Sequence, residues 1–194
     1  MIRTLLWLLA GAVLGGIIHI LVILTLPALA KETVWTRIEA LDANNRMLVL
    51  PKVEPGQPNP LGLDPDSAYA VCRVDLSRGP AYMSGMMPDA FWSVAIFNRA
   101  GIVTYSTTNR DGIGQTTELG IFNAAQTRLL AQQQLDIAEG LLVVRSASDK
   151  LFVLVRLAPP HRAMRARFEQ ALADVQCGTR GTPANPSTEP TLAP

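Results

Sequence analysis

Histidine is nearly missing from this chain: His19 and His161 are its only two, and they stand far apart. A Ser-His-Asp hydrolase would have to recruit His161, which is locked in a Pro159-Pro160-His161 corner, so triad chemistry is not expected. Cysteine is as scarce. Cys72 and Cys177 lie 105 positions apart, a spacing that excludes C-x-x-C redox chemistry and leaves no second pair to complete a zinc site. Any metal would rest on carboxylates alone. A surplus of positive charge is missing too. Seventeen Lys and Arg against sixteen Asp and Glu leave a formal +1, so no nucleic-acid partner is expected. The chain has no G-x-S-x-G, no phosphate-binding G-x-x-x-x-G-K, no H-E-x-x-H and no G-x-G-x-x-G after a strand. These absences point away from catalysis, and no cofactor is expected.

Charged residues make up only 17% of the sequence, which is low for a soluble domain. The N-terminus accounts for much of this. Leu5 to Leu26 is a run of 22 residues without Asp, Glu, Lys or Arg. As a helix it rises about 33 Å, enough to cross a hydrocarbon core of about 30 Å. Arg3 and the amino group precede the run, while Lys31 and Glu32 cancel after it, so the positive-inside bias holds the N-terminus in the cytoplasm. The expected arrangement is a single-pass protein of a bacterial inner membrane with its C-terminal domain in the periplasm. Two readings of the run stand. Its length favours an uncleaved anchor, whereas Ala28-Leu29-Ala30 has the A-x-A form of a signal-peptidase site. Both export the rest. Gly11 and Gly15 form a G-x-x-x-G that would let two such helices approach, the basis for a homodimer expectation. In an exported chain an even cysteine count points to a disulfide between Cys72 and Cys177.

The organisation is therefore an anchor or signal over 1–30, an exported domain over 31–178 and a disordered Pro-rich tail over 179–194, where four prolines meet almost no apolar bulk. Val34, Ile38 and Leu41 share one face at helical spacing, predicting a short amphipathic helix that ends near Asn44-Asn45. M-L-V-L-P reads as a strand, and Pro51 to Pro65 hold five prolines, which force an irregular loop. S-A-Y-A-V-C-R-V-D-L then alternates: Ala68, Ala70, Cys72, Val74 and Leu76 should face the core, Tyr69, Val71, Arg73 and Asp75 the other side. F-W-S-V-A-I-F-N-R-A-G-I-V-T-Y-S-T-T-N predicts a hairpin, and L-L-V-V-R-S-A-S-D-K-L-F-V-L-V-R-L a second one turning at Ser148-Asp149. Asn123 is the expected N-cap of a helix. Pro160 should open the last helix, with Met164, Phe168, Leu172 and Val175 as its apolar stripe and Cys177-Gly178 closing it. The fold class is α+β: a mostly antiparallel, sandwich-like sheet domain of six to eight strands, covered by two or three helices and preceded by one transmembrane helix.

One polar constellation is left. Asp64 and Asp66 sit in a Pro-punctuated turn, followed by Tyr69, Arg73 and Asp75 on one strand face. Carboxylates, a phenol and a guanidinium suit a ligand site or proton transfer by an enzyme. The same Asp-Pro-Asp-Ser is equally a turn formula whose Asp side chains cap local backbone groups, leaving Arg73 and Asp75 as surface partners. The polar T-T-N-R-D-G-I-G-Q-T-T-E over 107–118 is expected to be a hairpin extension, and the arginines of H-R-A-M-R-A-R-F a solvated face.

D-P-D-S-A-Y-A-V-C-R-V-D-L-S-R-G-P followed by D-A-F-W-S-V-A-I-F-N resembles the bacterial domain of unknown function 1254 family. In that family an N-P-D-T-x-Y segment and then D-L-S-x-G-P precede an aromatic strand, and the likeness to its short, membrane-anchored members covers residues 31 to 178. Asp64 replaces the family's Asn and Ser67 its Thr, both conservative in hydrogen bonding. The resemblance implies a β-rich fold and a companion envelope protein encoded nearby. It implies no reaction.

Overall fold

A computed structural model describes residues 2–29, 33–111, 116–133 and 141–179. The chain divides into two units, Met1–Thr33 and Val34–Pro194.

In the first unit, α1 runs from Ile2 to Leu29 and is apolar on all sides. Its stretch Ile2–Leu26 has a mean hydropathy of 2.4 and buries none of its surface against protein. The Thr25 hydroxyl is satisfied within the helix, donating back to the Leu21 carbonyl at 2.8 Å.

The second unit is α+β with two sheets. One has the order β1-β2-β8-β4-β5, formed by Leu48–Val49, Ala68–Asp75, Lys150–Ala158, Phe91–Asn98 and Val103–Thr108. The other has the order β7-β6-β3-β9, formed by Leu141–Ser146, Thr116–Asn123, Ala81–Met86 and Gln176–Thr179. All pairings are antiparallel except β6–β7. The sandwich-like α+β expectation holds, with nine strands among the described residues instead of six to eight.

The main core lies between the sheets. β2 contributes Ala68, Ala70, Cys72 and Val74, the inward set its alternation predicts. The small Ala68 and Ala70 leave room for α4 (Arg165–Ala173), whose Phe168 and Leu172 enter the same cluster. Cys72 and Cys177 are disulfide-bonded with Cα atoms 6.4 Å apart, joining β2 of one sheet to β9 of the other.

The opposite face of β2 is not a solvent face. Tyr69 and Val71 are buried in a second cluster with Leu50, Phe152 and the Trp35 and Ile38 side chains of α2 (Val34–Glu39). Trp35 and Ile38 form the buried face of this short helix, where Val34, Ile38 and Leu41 had been expected. Val34 is 46% exposed, and the helix stops at Glu39, well before Asn44-Asn45. Asn45 then takes a left-handed φ of 54°, letting the chain turn alongside β2.

Two further expectations are corrected. β7 and β8 are not a hairpin: after Ser146 the chain changes sheets, so β7 pairs in parallel with β6 and β8 inserts between β2 and β4. The last helix does not begin at Pro160 or reach Cys177. A 3-10 turn over Arg162–Met164 precedes α4, the helix ends at Ala173, and Gln176–Thr179 is strand β9. Thr179, assigned from sequence to the tail, is a buried residue of that strand, while 180–194 lie outside the described residues.

Asn123 caps α3 (Ala124–Gln133) as expected. Its Oδ1 accepts the Ala125 and Gln126 amides at 3.1 and 3.0 Å, and Gln126 Oε1 accepts the Asn123 amide at 2.9 Å, a reciprocal capping box.

Candidate functional site

The Asp-Pro-Asp-Ser turn enters β2 at one edge of a cleft, and Asp64 is its organising residue. Its Oδ1 accepts the Asp66 amide at 3.0 Å, closing an Asx turn. Its Oδ2 accepts the Ser67 hydroxyl at 3.0 Å and the Arg156 Nη2 of β8 at 3.1 Å. Arg156 Nε also donates to Ser67 Oγ at 3.1 Å. The Asp64 amide donates to the Tyr69 hydroxyl at 3.2 Å, which satisfies the polar end of a ring buried in the second core. Asp64 and Tyr69 thus staple the Pro-rich loop to the sheet.

Asp66 faces outward. It meets Arg162 at 3.3 Å across a cleft of about 540 Å³. Val53, Pro55, Pro65, Pro159 and Pro160 supply apolar walls, and Lys52, Glu54, Arg162 and Arg165 supply charge beside Asp66. Arg165 is held in place by the Pro65 carbonyl at 2.8 Å and Glu169 at 2.7 Å. The volume falls within the roughly 300–1,000 Å³ of small-molecule sites, and proline walls are stiff.

Arg73 and Asp75 do not join this cleft. Asp75 lies six positions along the strand from Tyr69, about 20 Å at roughly 3.3 Å per residue. They line a second pocket of about 130 Å³ at the other end of β2, with Trp35, Glu39, Arg78 and Lys150. Arg73 and Asp75 are not partners of each other. Arg73 Nη1 lies 3.4 Å from Glu39 Oε1, and Asp75 Oδ1 accepts the Ser77 amide and hydroxyl at 3.1 and 2.6 Å, capping a 3-10 turn over Leu76–Arg78. The five residues singled out in the sequence therefore split three ways. Asp64 and Tyr69 are structural, Asp66 lines the cleft, and Arg73 and Asp75 line the far pocket.

Sequence reasoning singled out the arginines of H-R-A-M-R-A-R-F only as a surface. It missed Lys52 and Glu54, which sit in the Pro-rich loop without any pattern to mark them. The segment 107–118 is not a hairpin extension: Thr107 and Thr108 end β5 and Thr116 to Glu118 begin β6 of the other sheet, and Asp111 Oδ2 accepts the Thr108 amide and hydroxyl at 3.2 and 3.1 Å. Residues 112–115 lie outside the described residues. No group of three or more metal-ligating side chains occurs among the described residues.

The Asp64 carboxyl is held below its ordinary value of 3.8, first by the Asp66 amide and then by the Ser67 hydroxyl, with Arg156 a smaller contributor. The Asp75 carboxyl is lowered in the same direction, chiefly by the Ser77 hydroxyl. A carboxyl whose folded-state pKa is depressed stabilises the fold above its unfolded value. That stabilisation fades as pH falls below the unfolded value and through the folded one. The melting temperature should hold from pH 7 to about pH 5 and decline below that. Asp64→Asn should make the acid-side decline shallower in thermal melts, and an unchanged slope would contradict the stapling role.

No protein-family model matches the chain, and no curated protein matches it. A solved structure does share its fold. The VPA0106 protein from Vibrio parahaemolyticus superposes with a TM-score of 0.54 at 12% identity, over 79% of this chain and 38% of that one. An uncharacterised protein from Burkholderia cenocepacia superposes with a TM-score of 0.46 at 17% identity, over 75% of this chain and 37% of that one. The chain thus spans well under half the length of either. The likeness to the Vibrio protein is one of fold: this chain shares its α+β architecture.

Proposed function

We propose that the protein is a single-pass, membrane-tethered domain of the bacterial envelope, facing the periplasm, which acts by binding or assembly and not by catalysis of its own. One observation carries this reading: a helix that buries no apolar surface leads into a domain closed by the Cys72–Cys177 bridge. An apolar helix of this length needs a bilayer or a signal role, and disulfides persist in oxidising compartments. Arg3 ahead of the helix supports the inward N-terminus. Membership of the domain of unknown function 1254 family belongs to the same proposal, as does a companion envelope protein. The Pro-walled cleft around Asp66 and Arg162 is one surface with the depth to hold a ligand or a partner's side chain.

Protease protection with alkaline extraction tests the placement. The protein should resist carbonate washing of membranes, and the 31–194 region should be digested in spheroplasts but not in intact cells. A domain that stays protected until spheroplasts are lysed would overturn the orientation.

A further inference from the structure

The two ends of β2 differ in how their charges are engaged. At the cleft end, Arg156, Arg162 and Arg165 each have a carboxylate partner. At the far end three cations, Arg73, Arg78 and Lys150, converge on the pocket of about 130 Å³. Its two carboxylates are already bound locally, Asp75 by Ser77 and Glu39 by the Trp35 indole Nε1 at 3.2 Å and Arg73. Among the described residues, neither Arg78 nor Lys150 makes a side-chain hydrogen bond or ion pair, although both lower the Asp75 pKa through charge. Lys150 stands directly opposite Asp75 in the β2–β8 register.

The pocket is also built on fixed backbone. The Arg73 amide donates to the Ala43 carbonyl at 2.7 Å, and the Arg73 carbonyl accepts the Asn45 amide at 2.8 Å, so the root of this guanidinium is held on both sides. Its side chain is only 20% exposed. A space of this size holds about four waters at roughly 30 Å³ each, room for one small oxyanion and little else. Three cations against two carboxylates leave one net positive charge, which a single phosphate monoanion cancels.

We propose that this pocket binds one phosphate group, gripped by Arg73, Arg78 and Lys150. Guanidinium forks match phosphate oxygens in bidentate fashion, and Lys150 adds a point charge. The phosphate can come from a lipid headgroup diester or from free phosphate. The pocket itself stands without the tether, whereas the lipid source rests on the membrane reading above. There a bilayer phosphate is favoured by local concentration, because the pocket wall α2 starts five residues after α1 ends.

Calorimetric titration of the full chain in dodecyl maltoside, at constant ionic strength, tests this with two probes: inorganic phosphate and glycerophosphoglycerol. Saturable binding of either is expected. Tighter binding of the diester assigns the lipid source, and tighter binding of inorganic phosphate assigns the free ion. Arg78→Ala with Lys150→Ala should weaken binding tenfold or more. Asp75→Asn, which keeps an oxygen for the Ser77 amide, should tighten it severalfold by removing a competing charge. Arg162→Ala in the other cleft should leave it unchanged. Both altered pocket cations are exposed, so melting curves should match the parent. The proposal is overturned if neither probe saturates, if the double variant binds within twofold of the parent, if Asp75→Asn fails to tighten, or if Arg162→Ala weakens binding equally.

Discussion

Replacing both bridging cysteines, Cys72→Ala with Cys177→Ala, is expected to lower stability by about 2–5 kcal/mol. The bridge closes a loop of 105 residues, and on the chain-entropy account a loop near this length limits the unfolded ensemble by about 4.7 kcal/mol. The fold gives this crosslink particular leverage. Among the described residues, β9 is a four-residue edge strand paired only with β3, and the disulfide ties it across the core to β2 of the opposite sheet. For a domain of this size each kcal/mol moves the melting temperature by about 2–4 °C, so a drop of roughly 4–20 °C is expected. Loss of the bridge should be local first. In hydrogen exchange, the amides of 176–179 should lose protection while those of the β2–β8 pair keep theirs. A variant that melts within a degree of the parent, with β9 still protected, would show that pairing and packing alone hold the two sheets.

Phe152→Ala should cost about 3–5 kcal/mol, the range for deleting a buried aromatic ring. Phe152 is 2% exposed, and its ring stacks on Phe97 at 4.8 Å between centroids with a 6° tilt, with Trp35 at 6.3 Å on another side. Here it faces away from the inter-sheet core and anchors the second cluster, in which α2 docks on β2 and β8. Truncation should therefore loosen α2 and disturb the small polar pocket that Trp35 and Glu39 border. Urea unfolding measures the stability loss. Near-ultraviolet circular dichroism reports the Trp35 environment, where an unaltered spectrum would contradict the docking role. The adjacent Phe97 is half-buried, so Phe97→Ala should cost less.

Local pattern made much of this fold legible. The inward set of β2 followed from strict alternation, and the Asn123 cap from residue chemistry. The rest failed for identifiable reasons. Period-two reasoning treats a strand's second face as solvent, but Tyr69 and Val71 are covered by Trp35 and Ile38, a contact no local pattern encodes. The short link between β7 and β8 looks like a hairpin because Val and Leu alternate on both arms, yet such faces are buried equally well in either sheet. Val175 continues the helical stripe of Phe168 and Leu172 from beyond the helix end, since the chain turns at Asp174 and still points it into the core. Gly178 was read as a helix stop but sits in β9, where a Cβ would lie 3.3 Å from the Asn45 carbonyl oxygen.

The site was half legible for the same reason. Asp64, Asp66 and Tyr69 are near neighbours in sequence, and the turn formula predicted their local bonds. Arg156 and Arg162 come from nearly a hundred positions away, and only the antiparallel β2–β8 register and the packing of α4 bring them to the turn. Lys150 is brought to Asp75 by the same β2–β8 register, whereas Arg78 is local, at the end of the turn that Asp75 caps.

The intact mass of the protein from isolated membranes, taken after cells are treated with a maleimide before lysis and without reductant, tests the central claim most directly. The account predicts a chain that retains residues 1–30 and carries no maleimide, as the proposed uncleaved anchor and the Cys72–Cys177 bridge require. A mass that begins at Lys31, or a chain carrying two adducts, would contradict it.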